Sequence, residues 1–204
     1  MMLARLVLWR HGETDYNASG RIQGHLDSHL TETGLAQARR AVPLLTSYGP
    51  SVLVSSDLRR ALDTATVFAE ATGTTLRVDK RLRETHLGEW QGMTMAEVEA
   101  RWLGAVRTWR SDPRWAPPGG ESRLEVATRA AEVVAELDAQ FEGTALLCAH
   151  GGLISSLTAR LLGLPLDTWP VLSGIGNCHW TVLARRGTAG DGWRLVTYNA
   201  GATG

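Results

Sequence analysis

Short apolar runs that end abruptly in polar residues or glycine alternate along this chain with stretches in which apolar residues return every three or four positions. The runs Arg5 to Trp9, Ser51 to Ser55, Leu76 to Val78, Ala145 to Ala149, Cys178 to Ala184 and Trp193 to Tyr198 read as strands. Helical spacing is carried by Leu35, Ala38, Val42 and Leu45 behind a Thr31 cap, with Pro43 expected to weaken the later turns. A second helix, capped by Asp57, passes through Ala61, Ala65 and Phe68 and ends near Gly73. Val98, Trp102, Val106 and Trp109 predict a helix over roughly 94–110, and further helices are expected over 121–141 and 152–162. Gly12 to Leu30, the Pro-Gly run from Ser111 to Gly120 and the turn-rich Arg186 to Gly192 read as loops. Strands alternating with helices predict a three-layer α/β/α sandwich around a mostly parallel mixed sheet.

Composition narrows the class without changing this picture. The chain has 204 residues, 44% hydrophobic and 21% charged, which suits one α/β domain over 1–204 with a lid or flank at about 93–120. Lys+Arg and Asp+Glu are both 21, a balance that argues against a nucleic-acid partner, so any cationic site must be local. Cys148 and Cys178 fall in apolar runs and read as reduced packing residues. No apolar run reaches membrane-spanning length, so no membrane partner and a cytoplasmic location are expected.

The chemistry lies where strands end. Leu6-Val7-Leu8-Trp9 runs into Arg10-His11-Gly12, and Leu146-Leu147-Cys148-Ala149 runs into His150-Gly151. In open α/β sheets ligands bind at the carboxyl ends of strands, so two such ends that met would place two imidazoles and a guanidinium at one site. A phosphate monoester is nearly dianionic at neutral pH and its displacement rests on positioning and positive charge, which Arg10, Arg60 and His150 are expected to supply. By composition Arg59 is as good a candidate as Arg60. A neutral His11 with one ring nitrogen tied to a carbonyl can attack phosphorus with the other. Glu84 is the expected proton donor to the leaving group, in competition with Glu89 and Glu13, and the role asks for a carboxyl with raised proton affinity. Asn17 and Gln23, with Gly12 and Gly151, are candidate contacts to phosphate oxygens, and Trp115, in a Pro-Gly loop, is a candidate wall for the rest of the substrate. His25, His29, His86 and His179 lack zinc-type spacing, so neither a metal nor another cofactor is expected.

Taken together, Arg10-His11-Gly12-Glu13-Thr14 with Asn17, Gly20-Arg21-Ile22-Gln23-Gly24, Ser55-Ser56-Asp57-Leu58-Arg59-Arg60-Ala61, Glu84 with Gly88-Glu89-Trp90-Gln91-Gly92, and Ala149-His150-Gly151-Gly152 resemble the histidine phosphatase, or phosphoglycerate mutase-like, superfamily. The resemblance implies a phosphate pocket of Arg10, His11, Arg60 and His150, phosphorylation at His11 and Glu84 as acid. It also favours Arg60 over Arg59 and leaves a homodimer open. Arg83 to Gly92, Trp115-Ala116-Pro117, Gly119 to Ser122 and Asn177 with Trp180 look most like a branch acting on a glucosylated phosphoglycerate. Hydrolysis of a small phosphorylated metabolite is therefore the leading expectation. The alternatives are a phosphoglycerate mutase, disfavoured by the short segment between the Glu84 and His150 motifs, a broad-specificity phosphatase, and a non-enzymatic phospholigand-binding module.

Overall fold

A computed structural model describes residues 2–187 and 192–202. The chain runs β1 (Leu3–Arg10), a short α1 (Asp15–Ala18), α2 (Glu32–Thr46), β2 (Pro50–Ser55), α3 (Arg59–Thr72), β3 (Leu76–Val78), α4 (Met95–Arg101), α5 (Ala105–Ser111), α6 (Arg123–Gln140), β4 (Gly143–Ala149), α7 (Gly151–Leu161), β5 (Trp180–Arg185) and β6 (Trp193–Ala200). Three 3-10 turns, Lys80–Leu82, Gly88–Trp90 and Leu166–Val171, lie between these elements.

The strands form one six-stranded sheet in the order β3-β2-β4-β1-β5-β6. β3, β2, β4 and β1 are mutually parallel, whereas β5 pairs antiparallel with β1, and β6 antiparallel with β5. The pleat divides the apolar residues between two layers. Leu6, Leu8, Val54 and Leu147 face α6 and α7, packing with Val126, Val134, Ile154 and Leu157. Val7, Trp9, Leu53 and Leu146 face α2 and α3, packing with Ala38, Leu45, Ala65 and Phe68. Helices thus cover both faces of a mixed sheet, the three-layer arrangement that the alternation of elements predicted.

The parallel register of β1 on β4 sets Arg10 opposite Ala149, so His11 and His150 follow from the carboxyl ends of neighbouring strands. Those two ends do meet. α7 begins directly after His150 and directs its N-terminal amides at the same edge. Among the described residues no helix is long and apolar enough to cross a membrane.

Several elements differ locally from the sequence reading. Asp57 does not cap α3; Leu58 holds that position without a side-chain bond. The Asp57 carboxylate instead accepts from Arg83 Nε at 2.7 Å and Nη2 at 2.6 Å, and this pairing holds its pKa below the ordinary carboxylate value. The single helix expected over 94–110 is two. Gly104, at φ +79°, turns the chain between α4 and α5, and the Glu99 carboxylate accepts its N–H at 2.6 Å. Helical spacing survived that break because Val98, Trp102, Val106 and Trp109 all pack around Trp90. α2 passes through Pro43, since Ala38, Ala41 and Leu45 are anchored in the core and Arg39, whose carbonyl loses its partner, is exposed. Four of the residues in the expected turn between β5 and β6, 188–191, lie outside the described residues.

Candidate active site

Backbone hydrogen bonds from three directions fix His11 at the end of β1. Its N–H donates to Ala149 of β4 at 3.0 Å, while its carbonyl accepts from Cys178 N at 3.1 Å and Asn177 Nδ2 at 3.3 Å. The imidazole is buried, with Nδ1 2.7 Å from the Gly12 carbonyl. A carbonyl can only accept, so Nδ1 carries the proton and Nε2 keeps its lone pair. Burial, and after it the charges of Arg10 and Arg60, hold the His11 pKa well below its ordinary value. The ring is therefore a neutral nucleophile at physiological pH.

His150 is fully buried, its ring centroid 5.2 Å from that of His11. Its Nε2 lies 2.9 Å from the Ser56 hydroxyl, which already accepts the Leu58 N–H at 3.3 Å. A hydroxyl proton given by Ser56 to Nε2 would leave Nδ1 as an N–H, and Nδ1 has no partner among the described residues. Burial, followed by Arg60, His11 and Arg10, keeps this imidazole neutral as well. The sequence reading expected a cation here, and the structure supplies a buried neutral imidazole.

Arg10 and Arg60 provide the positive charge. Arg60 is fully buried, donating to the carbonyls of Leu26 at 2.9 Å and Gly24 at 2.8 Å, and burial brings its pKa down only to about 10, so it remains a cation. Arg59 points elsewhere, to Asp63 at 3.5 Å on the exposed face of α3. Arg10 donates to the Ile175 carbonyl at 2.5 Å. Each guanidinium has a buried Nε without a partner, and neither has a carboxylate within 4 Å among the described residues. A buried and a half-buried cation, neither with a salt-bridge partner among the described residues, make a site that favours an anion.

Neutral donors complete the pocket. Asn17 Oδ1 accepts from Thr14 and from Asn177 Nδ2, and Gln23 Oε1 accepts from Thr14 Oγ1 and Ser28 Oγ at 2.5 Å. With both amide oxygens engaged, the two amide NH2 groups are the parts left to donate, and both residues line a cavity of about 320 Å³ together with Arg10, His11, Arg60 and Glu84. Glu84 Oε1 accepts from the N–H groups of Thr85 at 2.8 Å and Leu153 at 3.0 Å, and Oε2 from that of Gly152 at 3.0 Å. The carboxylate thus sits on the N-terminus of α7, where the helix dipole favours negative charge, the opposite of the raised proton affinity that the sequence reading asked of the acid. Glu13 accepts from Thr31, and Glu89 lies beside Arg101, so neither shares this position.

Three candidates occupy other roles. The Gly12 N–H donates to Thr64 Oγ1, and a Cβ there would sit 2.5 Å from the Gly34 carbonyl, so this glycine admits the close approach of α2. Gly151 lines a second cavity beside the phosphate pocket. Trp115 stacks near Trp90 at 5.5 Å within the aromatic core under α4 and α5 and lines neither cavity, whereas Trp109 of that core reaches the second one. Ser28, Asn177 and Thr64 orient groups that sequence reasoning had found, and Ser56 lies in a motif already named, its partner far along the chain. Arg129 of α6 was missed: it donates to the carbonyls of Arg81, Arg83 and Glu84 and pairs with Glu121 at 2.9 Å, so it clamps the loop that carries Glu84.

Comparison with known proteins identifies the family. Residues 6–201 match the family model of the histidine phosphatase superfamily (branch 1). The chain is 50% identical to a glucosyl-3-phosphoglycerate phosphatase of Mycolicibacterium vanbaalenii, over 99% of this chain and 97% of that protein. It is 49% identical to the one of Mycobacterium tuberculosis, again over 99% and 97%. A solved mycobacterial glucosyl-3-phosphoglycerate phosphatase in complex with VO3 superposes with a TM-score of 0.91 at 50% identity, covering 97% of this chain and 99% of that one. With its two strand-end histidines, its paired arginines and this near full-length likeness, the chain belongs to the histidine phosphatase superfamily.

Proposed function

We propose that this protein is a phosphomonoester hydrolase that works through a phosphohistidine at His11, without a metal ion, and that its substrate is glucosyl-3-phosphoglycerate. The observation that carries the reading is a neutral, buried His11 lining one cavity with Arg10 and Arg60, neither of which has a carboxylate partner among the described residues. The substrate follows from the near full-length identity to glucosyl-3-phosphoglycerate phosphatases.

In the first step the Nε2 lone pair of His11 forms a bond to phosphorus as the ester P–O bond breaks. Arg10, Arg60, the Nδ1–H of His150 and the amides of Asn17 and Gln23 hold the equatorial oxygens, whose charge spreads in the transition state. Glu84, which takes up a proton as the phosphate dianion arrives beside it, gives that proton to the departing alkoxide. In the second step water attacks phosphorus, Glu84 takes a proton from it, the P–N bond breaks, and inorganic phosphate leaves with His11 restored. The sum is ester plus water giving alcohol plus phosphate. A cytoplasmic location, in keeping with the unpaired buried Cys148 and Cys178, and a homodimer complete the proposal.

The test is a rapid quench with labelled substrate. Acid-labile, alkali-stable label on His11, its loss together with turnover in His11→Ala, and activity that survives a chelator are expected. Undiminished phosphate release by His11→Ala overturns the mechanism. Primer-dependent isomerisation of phosphoglycerate with negligible phosphate release overturns the hydrolase reading in favour of a mutase.

A further inference from the structure

The phosphate pocket does not end at Glu84. A second cavity of about 710 Å³ shares Arg10 and Glu84 with it and extends away from His11, past Trp109, Arg110, Arg123 and Leu172. An acid that protonates the leaving oxygen must stand between phosphorus and the leaving group, so a carboxylate at the junction of two cavities assigns the second one to the leaving group.

This cavity holds two cations that local structure does not explain. Arg81, Arg83, Arg129 and Arg185 each pair with a carboxylate, whereas Arg110 and Arg123 have none within 4 Å among the described residues. Arg123 is half-buried, its Nε is buried without a partner among the described residues, and its Nη2 donates to the Arg110 carbonyl at 3.0 Å. It is also the first residue of α6, the end where the helix dipole repels a cation. The helix does not need it there, because Ser122 and Glu125 form the capping box. Partial burial lowers its pKa, with the charge of Asp112 acting the other way. A cation held at an unfavourable end of a helix, partly desolvated and unpaired, is stabilised by an anion arriving in the cavity. A carboxylate matches the planar fork of a guanidinium.

We propose that the second cavity is the leaving-group subsite and that Arg123, with Arg110, reads a carboxylate on the leaving alcohol. The proposal rests on the hydrolase reading above and extends it to the chemistry that selects the substrate. Trp109 and Leu172 form the apolar wall beside that anion. The protein therefore distinguishes a phosphorylated hydroxy acid from the corresponding phosphorylated alcohol by charge.

A matched pair of esters tests this: glucosyl-3-phosphoglycerate and its reduced analogue, in which CH2OH replaces the carboxylate. The wild-type protein is expected to prefer the acid by at least about tenfold in kcat/KM, the scale of one charge-assisted hydrogen-bond pair. Arg123→Met, which keeps the apolar stem, and Arg110→Met, at an exposed position, are each expected to lower the ratio of kcat/KM for acid over alcohol, chiefly through KM for the acid. An unchanged ratio in both variants overturns the subsite while leaving the hydrolase intact, and so does a parallel loss on both esters or a wild-type protein with no preference. Wild-type protein that releases phosphate from neither ester overturns the hydrolase reading, and the subsite with it.

Discussion

At the scale of single residues, the site depends on which nitrogen of each imidazole carries the proton. Gly12 sets the His11 tautomer through its carbonyl, and the Ser56 hydroxyl is the partner of His150 Nε2. The residue types were legible in the sequence: a histidine following a guanidinium at a strand end, and a second histidine ahead of a glycine. Their partners were not, since Ser56 lies 94 positions from His150 and Asn177 lies 160 from Asn17. Ser56→Ala removes the bond that points Nδ1–H of His150 away from Ser56, so kcat/KM is expected to fall about tenfold, near 1.4 kcal/mol of transition-state stabilisation. Steady-state kinetics beside an unchanged circular dichroism spectrum check this, and an unaltered rate would remove Ser56 from the orienting role.

At the scale of elements, α7 does two things at once: its apolar side fills the core with Leu153, Ile154 and Leu157, and its first amides seat Glu84. That seat is why Gly152 follows Gly151. A Cβ at Gly152 would lie 2.6 Å from Glu84 Oε1 and 3.2 Å from Thr85 Oγ1, so the carboxylate would have to leave the helix. Gly152→Ala should therefore cost little in stability, alanine being the better helix former, but lower turnover of alkyl phosphates on the order of 100-fold through loss of the general acid. p-Nitrophenyl phosphate, whose leaving group needs little protonation, should be slowed much less; equal slowing of both would show that Glu84 is not displaced from acid catalysis. The hydrophobic periods located the strands and the major helices, yet they ran through Gly104 because α4 and α5 present their apolar residues to the same aromatic core. Spacing reports which residues face a common core, and a left-handed turn between two short helices does not interrupt that.

At the scale of the whole molecule, two imidazoles are buried neutral among cations, and that has a consequence for acid stability. His11 and His150 keep pKa values well below 6.5, and half-buried His25 is also lowered, in each case by burial first. As pH falls through about 6.5 the unfolded chain takes up protons that the folded chain does not, so the free energy of unfolding declines with falling pH. The carboxylates with lowered pKa begin to lose their stabilisation only near their unfolded values, 4.5 for Glu97, Glu121 and Glu136 and 3.8 for Asp57 and Asp79, so the decline between about pH 6.5 and 5 belongs to the histidines. Urea unfolding at pH 7.5 and 5.5 should show the loss, and replacing His11 and His150 together by Asn should reduce its slope with pH. A slope identical to wild type would mean that the two rings are already charged in the folded protein. The sequence by itself determined the alternation of strands and helices, the motif residues at two strand ends and the family they resemble, because hydrophobic period and strand-end chemistry are local in the chain. Only the tertiary structure decided that β1 and β4 are neighbours, that α7 seats Glu84, that His150 is buried and neutral and that Trp115 is packing. Those properties arise from burial and from partners far apart in sequence, which bring their fields and hydrogen bonds to the site only after the sheet has formed.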